Sequence, residues 1–294
     1  MPRARANGIV LEYETFGDPK AQPLLLIMGL GAQMISWDEG FCAQLADRGF
    51  RVIRFDNRDS GLSTRMDDAG PPDIAAALSG NAQPEYELDD LADDAAGLLD
   101  DLDIRAAHIV GASMGGFIAQ LVAINHAECV LSLTSIMSGP GGTDEIPPKP
   151  EGAAILTVTP PPTREEQIEQ AMSFRRALLG TADPFDETFE RARALRAVDR
   201  AYYPPGVGRQ LIAILVANSR MEKLRQLRVP TLVIHGVDDV LVPVENGRLV
   251  ADAVPGARYV ELEGMGHDLP NRVWPQVLDA IEEIARQAAP LQPQ

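Results

Sequence analysis

One stretch, Gly111-Ala112-Ser113-Met114-Gly115, constrains the fold of this chain more than any other. β-Branched, apolar residues precede it, as in a buried strand, and a largely apolar helical pattern follows it. A serine with glycines two positions away on both sides is the pattern of a nucleophile elbow, a sharp strand-to-helix turn that exposes the hydroxyl. The glycines are needed because a Cβ at either position would collide with the turn. We therefore expect Ser113 to be a nucleophile at the end of a strand.

The rest of the chain alternates between strand and helix patterns, which predicts an α/β protein with a mostly parallel sheet. Residues 24–28 and 231–235 are continuous apolar runs, as in strands that are buried on both faces. Residues 9–16 alternate between apolar and polar side chains, which indicates an antiparallel edge strand or a hairpin arm. Further strands are predicted at 51–55, 108–111, 130–136 and 258–262, helices at 36–48, 88–102, 114–125, 245–253 and 274–288, a long loop at 66–84 and a tail from Pro290 onward.

The pattern changes after residue 138, where proline-rich stretches are followed by helical patterns without an intervening strand. We therefore predict a core domain of residues 1–138 and 222–294, interrupted by a helical cap (lid) of residues 139–221. The larger side chains of this cap are expected to roof a pocket, and they are Met172, Phe174, Phe185, Phe189, Tyr202 and Tyr203.

Helix-start signals divide the predicted cap into three helices. A capping box that opens at Thr163 predicts a helix to about Leu179. Asp183, followed by Pro184, predicts the start of a second helix, because proline is favoured at the first helical position. The apolar spacing in residues 208–218 predicts the third.

Charge and composition exclude several classes of partner. The formal net charge of −17 argues against nucleic acid and against an anionic membrane surface. Cys42 and Cys129 are far apart and lie in no metal-like spacing, which favours two reduced, packed thiols. The N-terminal stretch lacks the apolar segment of a signal peptide, and the apolar run at 24–35 is too short to span a bilayer. We expect a soluble, cytoplasmic monomer or homodimer without metal, nucleic acid or membrane partners.

A serine nucleophile needs a base, and the chain contains four histidines. His267 is predicted to be that base, because it follows the last predicted strand at the sheet edge that Ser113 also occupies. His108 begins the strand that leads to Ser113, and His126 lies more than three turns along the following helix. His235 ends a strand and is expected to be a packed neighbour of the acidic loop that follows.

The group that orients the base is expected in the loop after strand 231–235, where two aspartates compete. Asp239 is favoured, because the Gly-x-x-Asp-x-x-x-Pro layout from Gly236 lets the loop turn before the carboxylate is presented. Asp238 stays open as the alternative and would otherwise be solvated or bonded to backbone amides. Two backbone N–H groups are predicted to bind an oxyanion, that of Met114 after the nucleophile and that of Leu30 after the first buried strand.

Four segments together resemble those of α/β-hydrolase-fold enzymes, and within that superfamily they are similar to bacterial carboxylesterases near aclacinomycin methylesterase. The segments are Met28-Gly29-Leu30, Asp56-x-Arg58-Asp59-x-Gly61-x-Ser63, Gly111-Ala112-Ser113-Met114-Gly115 and Gly264-Met265-Gly266-His267. The resemblance covers nearly the whole chain and implies an eight-stranded, mostly parallel sheet flanked by helices. Many relatives carry His-Gly where this chain has Met28-Gly29, so a histidine side chain cannot assist the oxyanion site here.

The resemblance implies a serine hydrolase of carboxylic esters that forms an acyl-enzyme and needs no cofactor. A small-molecule ester is then the expected partner. Serine at position 113 excludes the aspartate-nucleophile chemistry of haloalkane dehalogenases and epoxide hydrolases of this fold. Other reactions on the same residues stay open, namely perhydrolysis with halogenation, lactone hydrolysis, C–C cleavage and acyl transfer to another acceptor. A non-catalytic ligand receptor is the alternative of a different class.

Overall fold

The apolar runs of the sequence form one twisted sheet in the computed structural model, which describes residues 2–288. The predicted tail from Pro290 lies outside the described residues. Within them the sheet has eight strands, in the order β1-β2-β4-β3-β5-β6-β7-β8. The strands are β1 (Arg3–Ala6), β2 (Ile9–Phe16), β3 (Gln22–Ile27), β4 (Phe50–Phe55), β5 (Ala107–Ala112), β6 (Val130–Ile136), β7 (Thr231–Gly236) and β8 (Arg258–Leu262).

The pairing confirms the predicted mostly parallel sheet. β1 pairs with β2 and β2 with β4 in antiparallel register, and all the other neighbours are parallel. β4 lies on one side of β3 and β5 on the other, so the loops after β3 and β5 turn away from each other. Ligands of open α/β sheets bind at the carboxyl end of such a switch point. Residues 28–34 and Ser113 follow β3 and β5 at this carboxyl end, so a ligand site is expected beside them.

Helices cover both faces of the sheet. On one face α3 (Leu88–Asp101), α4 (Met114–Asn125) and α10 (Val244–Ala253) share a core with β3 and β5. On the other face α1 (Glu39–Asp47) and α11 (Trp274–Arg286) pack around Trp37 and Phe41. None of the helices within residues 2–288 combines the length and the apolarity that a membrane crossing requires.

Most of the remaining helices lie between β6 and β7, in residues 137–230, which we call the β6–β7 segment. Its longest helices, α6 (Arg164–Leu178) and α7 (Glu187–Arg200), pack on each other around Ile168, Met172 and Ala194. A short helix, α2 (Ile74–Leu78), contacts this segment from the core side. The helices of the β6–β7 segment are α5 (Pro150–Leu156), α6 (Arg164–Leu178), α7 (Glu187–Arg200), α8 (Pro204–Val216) and α9 (Met221–Leu224).

The edge of the sheet differs from the prediction. Residues 9–16 do form a hairpin arm, but β1, which was not predicted, occupies the edge beside them. β1 alternates arginine with alanine and lacks the β-branched residues that signal a strand. It forms because the small side chains of Ala4 and Ala6 are buried against the core. A Cβ added at Gly97 of α3 would lie 3.0 Å from the Ala6 Cβ, so helix and strand pack closely.

Three predicted helix bounds and one loop were wrong. The helix predicted at 36–48 begins only at Glu39, because Asp38 caps it by accepting the Gly40 N–H. The helix expected at Asp183 begins at Glu187, since the Asp186 carboxylate accepts the Phe189 N–H and Asp183 pairs with Arg272 instead. The third starts at 204 rather than 208, with proline at its first position. The loop predicted at 66–84 contains α2.

Acid is expected to destabilise the protein through His108, whose ring is buried at the start of β5. The His108 Nδ1 atom hydrogen-bonds the Ser132 hydroxyl, whereas Nε2 has no partner among residues 2–288. Burial lowers the pKa of His108 from 6.5 to about 4. Below pH 6.5 the unfolded chain therefore binds a proton that the folded protein excludes, and stability falls as the pH falls towards 4.

We expect this histidine to remove roughly 2 kcal/mol from the free energy of unfolding between pH 7 and pH 4.5. Urea unfolding of the wild type and of His108→Gln at both pH values measures the effect. The glutamine variant should lose less stability on acidification by about that amount. Parallel losses in the two proteins would contradict the assignment.

Candidate active site

The turn at Ser113 has the strained backbone that the glycine pattern predicts. Ser113 has φ +58° and ψ −126°, a conformation that residues with a side chain rarely adopt. A Cβ at Gly111 would lie 1.9 Å from the Gly115 carbonyl oxygen, and one at Gly115 would lie 2.1 Å from the Ile27 carbonyl oxygen. The Ser113 N–H donates to the Ile136 carbonyl, with the two atoms 2.9 Å apart. Both glycines are therefore required by close backbone contacts.

Ser113, His267 and Asp239 form one hydrogen-bonded chain. The Ser113 Oγ lies 2.9 Å from His267 Nε2, and His267 Nδ1 lies 2.7 Å from Asp239 Oδ2. An ionised carboxylate only accepts, so His267 donates through Nδ1 and its Nε2 accepts the serine proton. The remaining Asp239 oxygen accepts the backbone N–H groups of Leu241 and Val242, at 2.9 and 2.8 Å. The geometry thus suits proton transfer from Ser113 to His267.

The Asp239 carboxylate is fully buried, and its surroundings keep it charged. Burial alone would raise the pKa of Asp239, but the facing rings of His267 and His235 outweigh burial and lower that pKa well below its usual range. The His235 Nε2–H donates to the Val242 carbonyl at 2.8 Å and lies 3.4 Å from Asp239 Oδ2. His235 is therefore a packed neighbour of the acidic loop, as its position in the sequence predicts.

Asp238 points elsewhere. Its carboxylate accepts hydrogen bonds from the backbone N–H and the hydroxyl of Thr181, in the β6–β7 segment. These two donors lower the pKa of Asp238. Of the two aspartates that competed in the sequence, only Asp239 lies beside His267.

Within residues 2–288, two N–H groups beside the turn at Ser113, those of Met114 and Leu30, have no hydrogen-bond acceptor. Met114 is the first residue of α4, where a backbone N–H has no partner in a preceding turn. The Leu30 N–H likewise has no hydrogen-bond acceptor among residues 2–288. A Cβ at Gly29 would lie only 2.9 Å from the Ser113 Cβ, so the backbone before Leu30 passes directly beside the serine. This arrangement suits the binding of a developing oxyanion.

Side chains from residues 56–63 hold the 28–34 loop in place, a role that the sequence reasoning missed. Asn57 Nδ2 donates to the Met28 carbonyl at 2.9 Å, and the Ser60 hydroxyl donates to the Ala32 carbonyl at 2.8 Å. Asp56 Oδ1 accepts the N–H of Met34 at 2.7 Å. The polar Asp56–Ser63 motif was the available signal, but its spacing alone does not show which backbone groups it reaches.

Ser113 and His267 line a cavity of about 750 Å³ between the sheet edge and the β6–β7 segment. Of the six larger side chains expected to roof a pocket, Phe174, Phe189, Tyr202 and Tyr203 line this cavity. Met172 and Phe185 do not, because they pack between α6 and α7. Other apolar residues of the wall are Leu30, Leu156, Leu178, Val207, Leu211 and Trp274.

The other histidines lie away from Ser113. His108 is buried at the far end of β5, and the half-buried His126 pairs with Asp93 at the end of α4. Within residues 2–288, no group of three His, Cys, Asp or Glu side chains is arranged to hold a metal ion.

The sheet, the elbow and the Ser–His–Asp contacts define a hydrolase of the α/β class, and the chain belongs to the α/β-hydrolase fold family, whose profile matches residues 22–270. It is 35% identical to rhodomycin D methylesterase DauP of Streptomyces sp. (strain C5), over 93% of this chain and 94% of that protein. It is 33% identical to rhodomycin D methylesterase DnrP of Streptomyces peucetius, with the same coverage. The expected relationship to bacterial methylesterases is therefore confirmed.

Solved structures share the fold over nearly the whole chain. A meta-cleavage product hydrolase from Pseudomonas fluorescens superposes with a TM-score of 0.78 at 21% identity, covering 98% of both chains. The enol-lactonase of Burkholderia xenovorans gives a TM-score of 0.76 at 24% identity and covers 97% of this chain and 100% of its own. At these identities the likeness establishes the fold and leaves the reaction open.

Proposed function

We propose that this protein hydrolyses carboxylic esters through an acyl-enzyme on a catalytic triad of Ser113, His267 and Asp239. The observation that carries the proposal is the continuous chain of hydrogen bonds from Ser113 Oγ to Asp239 Oδ2. Ser113 and His267, in this chain, line the cavity. A serine hydroxyl is a weak nucleophile until a base within hydrogen-bond reach takes its proton. His267 is placed to do so, and buried, charged Asp239 stabilises the imidazolium that forms.

The reaction follows from these positions. Ser113 Oγ forms a bond to the ester carbonyl carbon while its proton moves to His267 Nε2. The carbonyl oxygen becomes an oxyanion, which accepts the N–H groups of Leu30 and Met114. The carbon–oxygen bond to the alcohol then breaks, and His267 returns its proton to the departing oxygen. Water repeats the same steps on the acyl-enzyme and releases the carboxylic acid. No cofactor is needed.

We propose a methyl ester of a large carboxylic acid as the substrate class, since both similar Streptomyces proteins are rhodomycin D methylesterases by name. A cavity of about 750 Å³ has room for a large acyl group, and its walls are mostly apolar. The helices of residues 139–221 act as a cap over this cavity in the proposal. Their aromatic side chains would contact the acyl group.

The test is a fluorophosphonate titration together with a panel of reactions. We expect stoichiometric labelling of Ser113 and turnover of methyl and p-nitrophenyl esters, with water as the acceptor. Lactones, peroxide-dependent bromination and C–C cleavage of vinylogous diketones are assayed in parallel, because the same triad serves each of them. If any of these reactions is faster than hydrolysis of the esters, the reaction would be reassigned. Ligand binding with neither labelling nor turnover would indicate a receptor.

A further inference from the structure

Helix α8 of the β6–β7 segment forms a hydrogen bond to the backbone of the 28–34 loop through the side chain of Gln210. Its amide is fully buried and does not line the cavity. Gln210 Oε1 accepts the N–H of Gly31 at 2.8 Å, and Nε2 donates to the Arg58 carbonyl at 2.7 Å. One amide therefore bridges the 28–34 loop and the 56–63 segment that supports it.

Gly31 directly follows Leu30, whose N–H is the proposed oxyanion donor. Gly31 has φ +65°, and the Ala32 N–H closes a tight turn onto the Gly29 carbonyl at 3.2 Å. The bond from Gln210 fixes the peptide between Leu30 and Gly31, and the turn fixes the peptides on both sides of it. The direction of the Leu30 N–H therefore depends on where Gln210 is held.

The neighbouring residue holds Gln210 in place. Arg209 forms two hydrogen bonds to the buried Asp59 carboxylate, at 2.8 and 3.1 Å, and a third to the Gly70 carbonyl at 2.7 Å. Asp59 also accepts the Tyr86 hydroxyl at 2.8 Å. This buried ion pair fixes α8 on the core, so Gln210 reaches the 28–34 loop from a rigid position.

We propose that Gln210 is a positioning residue for the oxyanion-binding N–H of Leu30. The β6–β7 segment then contributes to transition-state stabilisation as well as to enclosing the substrate. The inference rests on the proposed ester hydrolysis and adds a residue to it. Since loss of a single oxyanion donor costs about 100- to 1,000-fold in kcat, a donor that is displaced but still present should cost less, about 10- to 100-fold.

The test compares Gln210→Met with a matched control, Asn246→Leu. Asn246 is also a fully buried amide, and it bonds both the N–H and the carbonyl of Ile146, each at 2.8 Å; neither residue lines the cavity. Both changes remove two buried hydrogen bonds between the core and the β6–β7 segment. Only the change at Gln210 frees the Gly31 N–H.

Two inhibitors distinguish stabilisation of the oxyanion from binding of the rest of the ligand. Ser113 adds to an aryl trifluoromethyl ketone and creates an oxyanion, with its proton moving to His267, whereas the corresponding methyl ketone stays largely unreacted. Gln210→Met should lower kcat for p-nitrophenyl butyrate and the trifluoromethyl ketone affinity by the same 10- to 100-fold factor. KM and the methyl ketone affinity should change less than about threefold. Asn246→Leu should leave kcat within about threefold.

Equal losses of kcat in the two variants, or a loss confined to KM, would overturn the inference. If Gln210→Met does not fold, Gln210→Asn shortens the side chain by one methylene, so its amide no longer reaches both the Gly31 N–H and the Arg58 carbonyl, and it should still lower the trifluoromethyl ketone affinity relative to the methyl ketone. An unchanged ratio of the trifluoromethyl ketone affinity to the methyl ketone affinity would also reject the positioning role of Gln210. Absence of ester turnover and of fluorophosphonate labelling in the wild type would instead reject the proposed function.

Discussion

Ser113→Ala is expected to lower kcat for ester hydrolysis by about 10⁵-fold or more, because in the proposed mechanism it removes the atom that attacks the carbonyl. KM should change little, since only the Ser113 hydroxyl is lost and the rest of the cavity wall and the 28–34 loop are unchanged. The residual rate should come from the Leu30 and Met114 N–H groups and from substrate binding alone. Steady-state kinetics on p-nitrophenyl butyrate measure the effect, and fluorophosphonate labelling should disappear.

The control for this prediction compares the losses of kcat in Ser113→Ala, in His267→Ala and in the double variant, which should not add up. Ser113 and His267 lie 2.9 Å apart and share one proton transfer in the proposed mechanism, so His267→Ala alone should lose at least about 10³-fold in kcat. The double variant should be scarcely slower than Ser113→Ala. Equal fluorophosphonate labelling of the wild type and of Ser113→Ala would refute the mechanism, and so would near-normal turnover by His267→Ala.

Asp239→Asn is expected to lower kcat by about 10⁴-fold while leaving the fold intact. Ionised Asp239 accepts from His267 Nδ1, and this contact leaves Nε2 free to take the Ser113 proton. An asparagine amide that donates to Nδ1 selects the other tautomer, in which Nε2 carries the hydrogen and cannot act as a base. The kcat of the purified variant, with its thermal unfolding curve, measures the effect.

The adjacent aspartate is the matched control. Asp238→Asn removes the same charge from the next residue, but its carboxylate contacts Thr181 and not His267. Asparagine can still accept the Thr181 N–H, so kcat should fall less than about fivefold. A larger loss at Asp238 than at Asp239 would reverse the assignment of the acid.

The strongest local signals predicted the elements around Ser113 well. Helix α4 has the predicted bounds, because the elbow fixes its start and its apolar periodicity ends at residue 125. The start of α7 shows where local signals fail. Asp183 before Pro184 and Asp186 three residues later are both acceptable helix caps, and a distant partner decides between them. Asp183 pairs with Arg272, which leaves Asp186 to cap the helix.

The sequence by itself determined the class of fold and the position of the sharp strand-to-helix turn at Ser113. Glycine spacing and hydrophobic periodicity are patterns of a few neighbouring residues, so they can be identified without knowing the tertiary contacts. The local layout after Gly236 favoured Asp239 over Asp238, but only the tertiary structure showed that Asp239 faces His267 and that Gln210 reaches Gly31. Those residues lie 28 and 179 positions apart in the chain. Which donor meets which acceptor over such distances depends on how helices and loops pack in space, and no local pattern encodes it.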